Sequence, residues 1–335
     1  MKVVHLVPAL EQGGVESVVC NLNSILVKAG WDSVVMSSGG RLRERIEIGG
    51  GRHVTIDLKS KNPFTYFFRA RKLRLALQRE KPDLVCAHSR VPAWLLVWAN
   101  RKLGLKWISY AHGANSVSKY SEIMTKGDLI ITPSQFLAEY LMDNYHTAEK
   151  KIRVIPNAVD VDRFNPDRVD QAVIAEKRRA WGIRDGDHVI MAIGRISPVK
   201  GLDDLIRSTP PNVKLVIVGG ADRHHLEYER RLRAMAGKNV VFAGPQEKIP
   251  ECISIADEIV SANTTKPESF GLSIIEAYAM NKPVKAKRFG GAAEVMDAVE
   301  KAGAVTFREA VVSLYGVDKF AERTIAAYRE LINVI

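Results

Sequence analysis

The sequence predicts an α/β protein built from two doubly wound domains, each a parallel sheet covered by helices. Its 335 residues suggest two domains at about 150 residues per domain. Short β-branched runs that are apolar on both faces alternate with amphipathic stretches, which is typical of buried parallel strands joined by helices. This pattern runs twice, with a turn-rich seam at 156–160. We therefore expect an N-terminal domain at 1–157 and a C-terminal domain at 158–335.

The elements follow from the spacing of the apolar residues. In the first half, the predicted strands are 2–7, 32–36, 54–58, 83–87, 107–111, 129–132 and 152–155. The predicted helices between them are 14–29, 64–80, 92–102 and 135–145. The second half repeats the scheme with strands at 188–193, 214–218, 240–242 and 258–262, a helix at 272–280 and a final helix at 319–331.

Composition excludes several classes of protein. The chain is 46% hydrophobic and 26% charged, as globular proteins are. Its longest apolar run, 91–99, is well short of the ~18 residues that span a bilayer, and the N-terminus has no signal-peptide pattern. The cysteines are few, odd in number and far apart, which favours a reducing compartment over a disulfide framework. We expect a cytoplasmic protein.

The positive charge is concentrated in the first half of the chain. Residues 1–157 contain 23 Lys and Arg against 13 Asp and Glu, whereas residues 158–335 contain 26 against 25. Segment 41–81 alone contains 12 basic and 4 acidic residues. An excess confined to one domain suggests that this domain meets an anionic partner, such as a phospholipid surface, a phosphorylated glycolipid or nucleic acid.

The loop after the first strand is suited to an anion. Gly13 and Gly14 directly precede a helix, so a ligand can approach the backbone and meet the positive end of the helix dipole. The loop lacks the G-x-G-x-x-G spacing of dinucleotide sites, which disfavours a dehydrogenase. A Gly-Gly turn by itself is equally consistent with ordinary turn chemistry.

A second loop, 194–201, follows the first strand of the second half. It places Arg195 and Lys200 between two glycines. A planar guanidinium and a compact ammonium together suit a diphosphate. Two solvated surface cations are the alternative reading of this motif in isolation.

The strongest signal is the segment 266–277. Glu268 lies in a loop after a strand, and Glu276 lies on the helix that follows. The first turn of that helix offers unpaired backbone N–H groups to a phosphate, those of Phe270, Gly271, Leu272 and Ser273. The two carboxylates suit hydroxyl groups, one set on a hexose and one on a ribose. Glu276 could equally be a plain surface residue.

Taken together, these motifs resemble those of the retaining nucleotide-sugar glycosyltransferases of family 4, also called group 1. The resemblance covers nearly the whole chain and includes the Glu-x7-Glu segment, Gly-Arg-x4-Lys-Gly, Ala111-His112-Gly113 and the hinge Pro-Asn-x-Val-Asp. It implies the GT-B fold, in which two Rossmann-like domains face each other across a cleft. The C-terminal domain would bind the donor and the N-terminal domain the acceptor.

The resemblance also implies roles for individual residues. Arg195 and Lys200 would bind the donor diphosphate, Glu268 the sugar hydroxyls and Glu276 the ribose. Gly14 would approach phosphate through its backbone, and His112 would face the reacting sugar, which places His112, Arg195, Lys200 and Glu268 at the catalytic centre.

The chain departs from the family pattern in two places. The usual glycine before Lys282-Pro283 is absent, and a Gly-Leu-Leu-Val-Pro-like loop after Glu294 is replaced by 296–307. Neither departure touches the residues named above.

No metal or other cofactor is expected. The pairs Asp160/Asp162 and Asp185/Asp187 have the Asp-x-Asp spacing of metal-dependent transferases, but the first falls in the hinge and the second in a turn. Two fixed cations can replace a metal in neutralising a leaving diphosphate.

The basic segment 64–80 predicts a helix with two apolar faces. One face packs on the sheet. The other carries Phe64, Phe68 and Leu75 beside Arg71, Lys72 and Arg79, which suits contact with an anionic membrane. The alternative is that Trp94, Trp98 or the loop 41–52 covers this stripe. Nucleic acid is not expected, because no recognition helix or base-stacking module is present.

The sequence therefore predicts a cytoplasmic enzyme at the inner face of the membrane. It would move a sugar from a nucleotide-sugar donor, with UDP-sugars favoured, to a cell-envelope glycolipid such as lipopolysaccharide core. Two alternatives stay open, a sugar-nucleotide 2-epimerase of similar two-domain fold and a degenerate, non-catalytic nucleotide-binding module.

Overall fold

The computed structural model describes residues 1–11, 13–263 and 266–333. These form two compact units. The first comprises Met1–Ala158 together with Val317–Ile335, and the second comprises Val159–Gly316.

The first unit is a seven-stranded parallel sheet with strand order β3-β2-β1-β4-β5-β6-β7. Its strands are β1 (Lys2–Leu6), β2 (Asp32–Ser37), β3 (Arg52–Thr55), β4 (Leu84–Ala87), β5 (Trp107–Tyr110), β6 (Leu129–Thr132) and β7 (Ile152–Val154). Its helices up to this point are α1 (Gly14–Lys28), α2 (Arg43–Ile48), α3 (Tyr66–Glu80), α4 (Arg90–Asn100) and α5 (Gln135–Tyr145). The central strands β4, β5 and β6 are buried along their whole length, as continuous apolar runs in a covered parallel sheet should be.

The second unit is a five-stranded parallel sheet with strand order β10-β9-β8-β11-β12. Its strands are β8 (His188–Ile193), β9 (Val213–Val218), β10 (Val240–Gly244), β11 (Glu258–Ser261) and β12 (Val284–Ala286). Its helices are α6 (Gln171–Ala180), α7 (Leu202–Ser208), α8 (Leu226–Met235), α9 (Ile249–Ile255), α10 (Leu272–Ala279), α11 (Gly291–Lys301) and α12 (Phe307–Tyr315). The predicted class of two parallel-sheet α/β domains is confirmed.

The final helix, α13 (Val317–Asn333), belongs to the first unit. The predicted boundary had kept it, as 319–331, in the second domain. Tyr328, on this helix, explains the difference. It is fully buried, and its Oη lies 2.7 Å from Tyr110 Oη. Cys86 donates its S–H to the Oη of Tyr328 at 3.4 Å. These contacts, with residues more than two hundred positions away in sequence, attach the helix to the first sheet.

Candidate functional site

In the second unit, the loops after β8 and β11 come together because these two strands are paired neighbours. In parallel sheets, ligands bind beyond the carboxyl ends of the strands. Two adjoining clefts open at this edge. One is lined by residues that include Gly194, Arg195, Lys200, Ser261 and Asn263. The other is lined by Ser261, Asn263, Lys266, Pro267, Glu268, Lys287, Phe289 and Ala292.

Lys200 and Glu268 connect the two clefts. The ammonium of Lys200 donates a hydrogen bond to the carboxylate of Glu268, and both side chains are mostly shielded from solvent. The two motifs predicted to bind a donor diphosphate and a sugar thus meet in space, although 68 positions separate these residues in the sequence. A partly buried ion pair of this kind keeps a cation and an acceptor poised beside the same opening.

Arg195 lies at the rim of the first cleft. Its side chain is largely exposed, and Nη1 lies 4.0 Å from Asp222 Oδ2. An exposed ion pair at this distance contributes little stability, so the guanidinium can reorient toward an anionic ligand at small cost.

Position 219 requires glycine because its backbone lies against the carbonyl group of Gly194. A Cβ on Gly219 would lie 1.9 Å from the carbonyl oxygen of Gly194, and Gly219 has a φ of +137°. A side chain there would displace the backbone that begins the Arg195–Lys200 loop.

Helix α10 begins directly after Glu268 and its loop. Gly271 is its N-cap with a φ of +102°, and no side chain caps the helix. The N–H groups of Ile274 and Ile275 bond to the Gly271 carbonyl, and Leu272 and Ser273 occupy the first turn, where backbone N–H groups precede the intrahelical bonds. Phe270 packs its ring against Tyr315 in the core, so only its backbone is available to a ligand. Binding of a phosphate at the start of α10 stays a prediction.

Glu276 lies on the second turn of α10 and is half-buried. Desolvation raises the pKa of its carboxyl group to about 7, and the charge of Arg163 partly offsets this rise. Glu276 does not line either of the two clefts described above. At neutral pH this carboxyl group therefore exchanges between its protonated and ionised forms.

In the first unit, the predicted residues lie at the carboxyl edge of the sheet. Gly13 is the N-cap of α1, Gly14 is its first residue, and His112 follows β5. A Cβ on Gly13 would come within 2.5 Å of Glu16 Oε2. Gln12, in the same loop, lies outside the described residues.

His112 belongs to a histidine chain that the sequence reasoning missed. Its Nε2 lies 3.0 Å from His88 Nδ1, and His88 Nε2 lies 3.0 Å from His5 Nδ1. A signal was available, because His88 follows its strand as His112 follows the next strand in the sheet.

Helix α3 has the two faces that its sequence predicts. Ala70, Leu73 and Leu77 are buried. On the other face, Phe68 is 57% exposed and Leu75 39%, and Phe64, in the turn Pro63–Thr65 just before the helix, is 95% exposed. Trp94, Trp98 and the loop 41–52 therefore do not cover them. Arg71, Lys72 and Arg79 are exposed beside this stripe. In the described part of the chain, no helix has the length and apolarity needed to cross a membrane.

Arg69 braces the segment that carries Phe64. Its guanidinium, which is 5% exposed, donates to the Asn62 carbonyl at 3.1 Å and to Thr65 Oγ1 at 3.1 Å. The exposure of Phe64 is therefore a property of an anchored turn.

The two Asp-x-Asp pairs take part in local turns. Asp160 accepts hydrogen bonds from the N–H groups of Asp162 and Arg163, and Asp187 accepts one from the N–H of Arg184. Among the residues described, no three His, Cys, Asp or Glu side chains are grouped as metal ligands.

Comparisons with known proteins show the family and the fold of this chain. Residues 12–163 match the family model Glycosyltransferase Family 4, and residues 173–315 match Glycosyl transferases group 1. A D-inositol 3-phosphate glycosyltransferase of Mycobacteroides abscessus is 31% identical over 179 residues, which cover 51% of this chain and 39% of that relative. The match thus spans about two fifths of the relative's length.

Two solved structures share the fold. A glycosyltransferase from Rickettsia africae superposes with a TM-score of 0.81 at 23% identity, covering 100% of this chain and 99% of the other. Anabaena HepE, solved in complex with UDP-glucose, gives a TM-score of 0.83 at 18% identity, covering 98% and 100%. With both halves of the sequence matched by family models, the chain belongs to the group 1, family 4 glycosyltransferases.

Proposed function

We propose that this protein transfers a sugar, with retention of anomeric configuration, from a nucleotide-sugar donor to an anionic glycolipid of the cell envelope. The observation that carries the proposal is the meeting of Lys200 with Glu268 at the carboxyl edge of the second sheet. A cation for the leaving diphosphate and a carboxylate for the sugar hydroxyls stand there beside one opening.

On the donor side, the diphosphate replaces Glu268 as the partner of Lys200. Arg195 turns from Asp222 to the same phosphates, and the N–H groups at the start of α10 add further donors. Glu268, released from Lys200, then accepts hydrogen bonds from sugar hydroxyls. Glu276 binds the ribose, which a carboxyl group with a pKa of about 7 can do as donor or as acceptor. Fixed positive charge stabilises the departing diphosphate without a metal.

Transfer proceeds on one face of the sugar. The bond between the anomeric carbon and the diphosphate oxygen breaks, and the acceptor hydroxyl oxygen bonds to the same carbon from the same side. The hydroxyl proton goes to the departing phosphate oxygen, so the products are the glycoside and a nucleoside diphosphate. His112 contacts the reacting sugar in this proposal.

For the acceptor, the first unit supplies the charge and an apolar surface. We place the peripheral contact with the inner face of the membrane at Phe64, Phe68 and Leu75, bordered by Arg71, Lys72 and Arg79. Aromatic and aliphatic groups beside cations suit an interface of acyl chains and anionic headgroups. Lipopolysaccharide core is our preferred acceptor. The relative named for D-inositol 3-phosphate adds a second candidate, a soluble phosphorylated polyol.

Donor binding tests the proposal. Thermal-shift titration with UDP-, GDP-, ADP- and CMP-sugars should show one class that stabilises the wild-type protein, because a ligand that binds only the folded state stabilises it by mass action. Lys200→Ala should abolish this shift, while Lys238→Ala, which removes an exposed lysine of the same unit, should keep it. A full shift in folded Lys200→Ala would place the diphosphate elsewhere.

A further inference from the structure

The cleft that contains Glu268 has more positive charge than the proposed reaction uses. Lys266 and Lys287 line it together with Glu268, and we refer to it as the Glu268 cleft. The carboxylate of Glu268 is paired with Lys200 of the adjoining cleft. Lys266 and Lys287 have no ion pair with any residue that the structure describes. The Glu268 cleft therefore contains two cations that no carboxylate of the described chain neutralises.

The neighbouring Arg288 differs from Lys287 in this respect. Its guanidinium is paired with the carboxylates of Asp297 and Glu300 on α11, and it does not line the cleft. Lys287 Nζ instead lies 5.6 Å from the centre of the Phe289 ring, and Phe289 also lines the cleft. An aromatic face attracts an ammonium group but accepts no conventional hydrogen bond from it. The contact thus keeps a cation beside the cleft with its hydrogen-bonding capacity available to an anion.

Asn263 adds a hydrogen-bond acceptor to the same place. It lines both clefts and is 7% exposed. Its Oδ1 is buried and has no hydrogen-bond partner among the residues that the structure describes. A buried polar atom without a partner is uncommon in folded proteins, and an amide oxygen can accept a hydrogen bond from a hydroxyl group. A bound sugar would supply that hydroxyl.

Acceptors and cations in one cleft match the groups of an acidic sugar. A neutral hexose offers hydroxyl groups to Asn263 and Glu268, but it has no charge for the two lysines to offset. A hexuronic acid offers the same ring hydroxyls and also has a carboxylate at C6. Hydrogen bonds between an ammonium group and a carboxylate are stronger than those between neutral groups. The charge of the cleft therefore favours the acid.

We propose that the donor sugar of this protein is a hexuronic acid, whose carboxylate is bound by Lys266 and Lys287 while Asn263 accepts a hydrogen bond from a ring hydroxyl. This inference rests on the proposed function, in which Glu268 binds the donor sugar. The bond that breaks is at C1 and the carboxylate is at C6, so the carboxylate takes no part in the transfer. The products are a uronoside and the nucleoside diphosphate.

Donor titration by calorimetry with the full chain tests the preference. The ligands are matched pairs that differ only at C6: UDP-glucuronate with UDP-glucose, UDP-galacturonate with UDP-galactose, and GDP-mannuronate with GDP-mannose. We expect the acidic member of one pair to bind roughly 10-fold or more tightly than its neutral partner, because hydrogen bonds to charged groups contribute more than neutral ones. Equal binding in every pair, or tighter binding of the neutral sugars, would overturn the inference.

A double variant tests whether the two lysines cause the preference. Lys266→Met with Lys287→Met removes both charges and keeps the length of the side chains. Both residues are exposed, so the variant is expected to fold. It should lose the preference for the acid, while its affinity for the neutral partner stays within about twofold of wild type. Lys285→Met removes an exposed lysine of β12 that lines neither cleft and should keep the preference. A preference that survives in the double variant would refute the role of the lysines.

The free nucleoside diphosphate distinguishes a sugar carboxylate from the donor phosphates as the partner of the lysines. The double variant should bind UDP or GDP as wild type does. An equal loss of affinity for the free diphosphate and for both members of a pair would assign the lysines to the phosphates and overturn the inference. Asn263→Ala should weaken the acidic and the neutral sugar alike, because both have the ring hydroxyls, and a loss confined to the acid would contradict its role.

Failure of this inference and failure of the proposed function give different results. Binding of a neutral sugar nucleotide without preference for the acid overturns the inference and leaves the proposed function intact. Binding of no member of any pair also overturns the inference. The proposed function then stands if an ADP- or CMP-sugar stabilises the protein in the wider screen, and it falls if none does.

Discussion

Replacing Glu276 with Gln should stabilise the second unit at neutral and alkaline pH but not in acid. The carboxyl pKa rises from 4.5 to about 7 because burial disfavours the charge. Below pH 4.5 the carboxyl group is protonated in both the folded and the unfolded chain, so it does not lower the free energy of unfolding. Between these two values the unfolded chain ionises first, and the free energy of unfolding falls as pH rises. Above pH 7 the loss is complete.

The magnitude follows from the size of the shift. A change from 4.5 to about 7 corresponds to about 3 kcal/mol at 1.36 kcal/mol per pKa unit. We take this as an upper bound because the side chain retains some contact with solvent. Gln is isosteric and cannot ionise, so the variant should gain up to this amount at pH 8 and nothing at pH 4.5.

Hydrogen exchange with mass spectrometry is the appropriate assay because it reports each unit separately. Peptides from β8 and β9 should exchange more slowly in Glu276→Gln than in wild type at pH 8, after correction for the intrinsic rate, and equally at pH 4.5. Glu227→Gln removes an exposed carboxylate of the same unit and serves as the control. A difference that does not change with pH would refute the burial argument.

The remaining predictions concern both units. Lys200→Ala should lower turnover at least ~100-fold, since a charge aimed at a developing anion is worth several kcal/mol in a closed site; near-wild-type turnover would contradict this. EDTA should leave the rate unchanged, and loss of activity that magnesium restores would reverse that expectation. Changing Arg71, Lys72 and Arg79 to Ser should weaken co-sedimentation with anionic vesicles by roughly 10²-fold at low salt, unlike the charge-matched change of exposed Lys28, Lys126 and Lys150; equal binding would remove the membrane face. The first unit should lose stability as pH falls below 6.5, because its lowered histidine pKa values let the unfolded chain bind protons first; flat exchange of β1 and β4 peptides between pH 7 and pH 5 would disagree.

Apolar periodicity was sufficient where a strand is buried on both faces. The strand 129–132 was predicted with its observed bounds, since Leu129–Thr132 is an unbroken buried run. Edge strands were harder to predict. The strand expected at 54–58 lies at Arg52–Thr55, and Val284–Ala286 was not predicted at all, because edge strands carry polar residues that blur the pattern.

One helix, α12, has a capping signal in its sequence that was not used to predict it. Thr306 and Glu309 form a capping box at the start of α12, a signature that can be read from sequence alone. The segment 296–307 had been interpreted only as a replacement for a missing loop.

The sequence motifs supplied the candidate site residues but not the contacts between them. Arg195, Lys200 and Glu268 were identified from their loops, whereas the meeting of Lys200 with Glu268 depends on the pairing of β8 with β11. Tyr328 was missed for the same reason, because its partners Cys86 and Tyr110 lie on β4 and β5. Sequence spacing carries no information on such pairings.

Phosphorus-31 NMR of one reaction tests the central claim most directly. The wild-type protein is incubated with the sugar nucleotide that stabilises it and with an anionic glycolipid, in parallel with D-inositol 3-phosphate. The account predicts that nucleoside diphosphate accumulates in step with glycoside, only when acceptor is present, and not with Lys200→Ala. Conversion of the donor to an epimer without release of diphosphate, or a bound donor that stays unchanged with every acceptor, would contradict it.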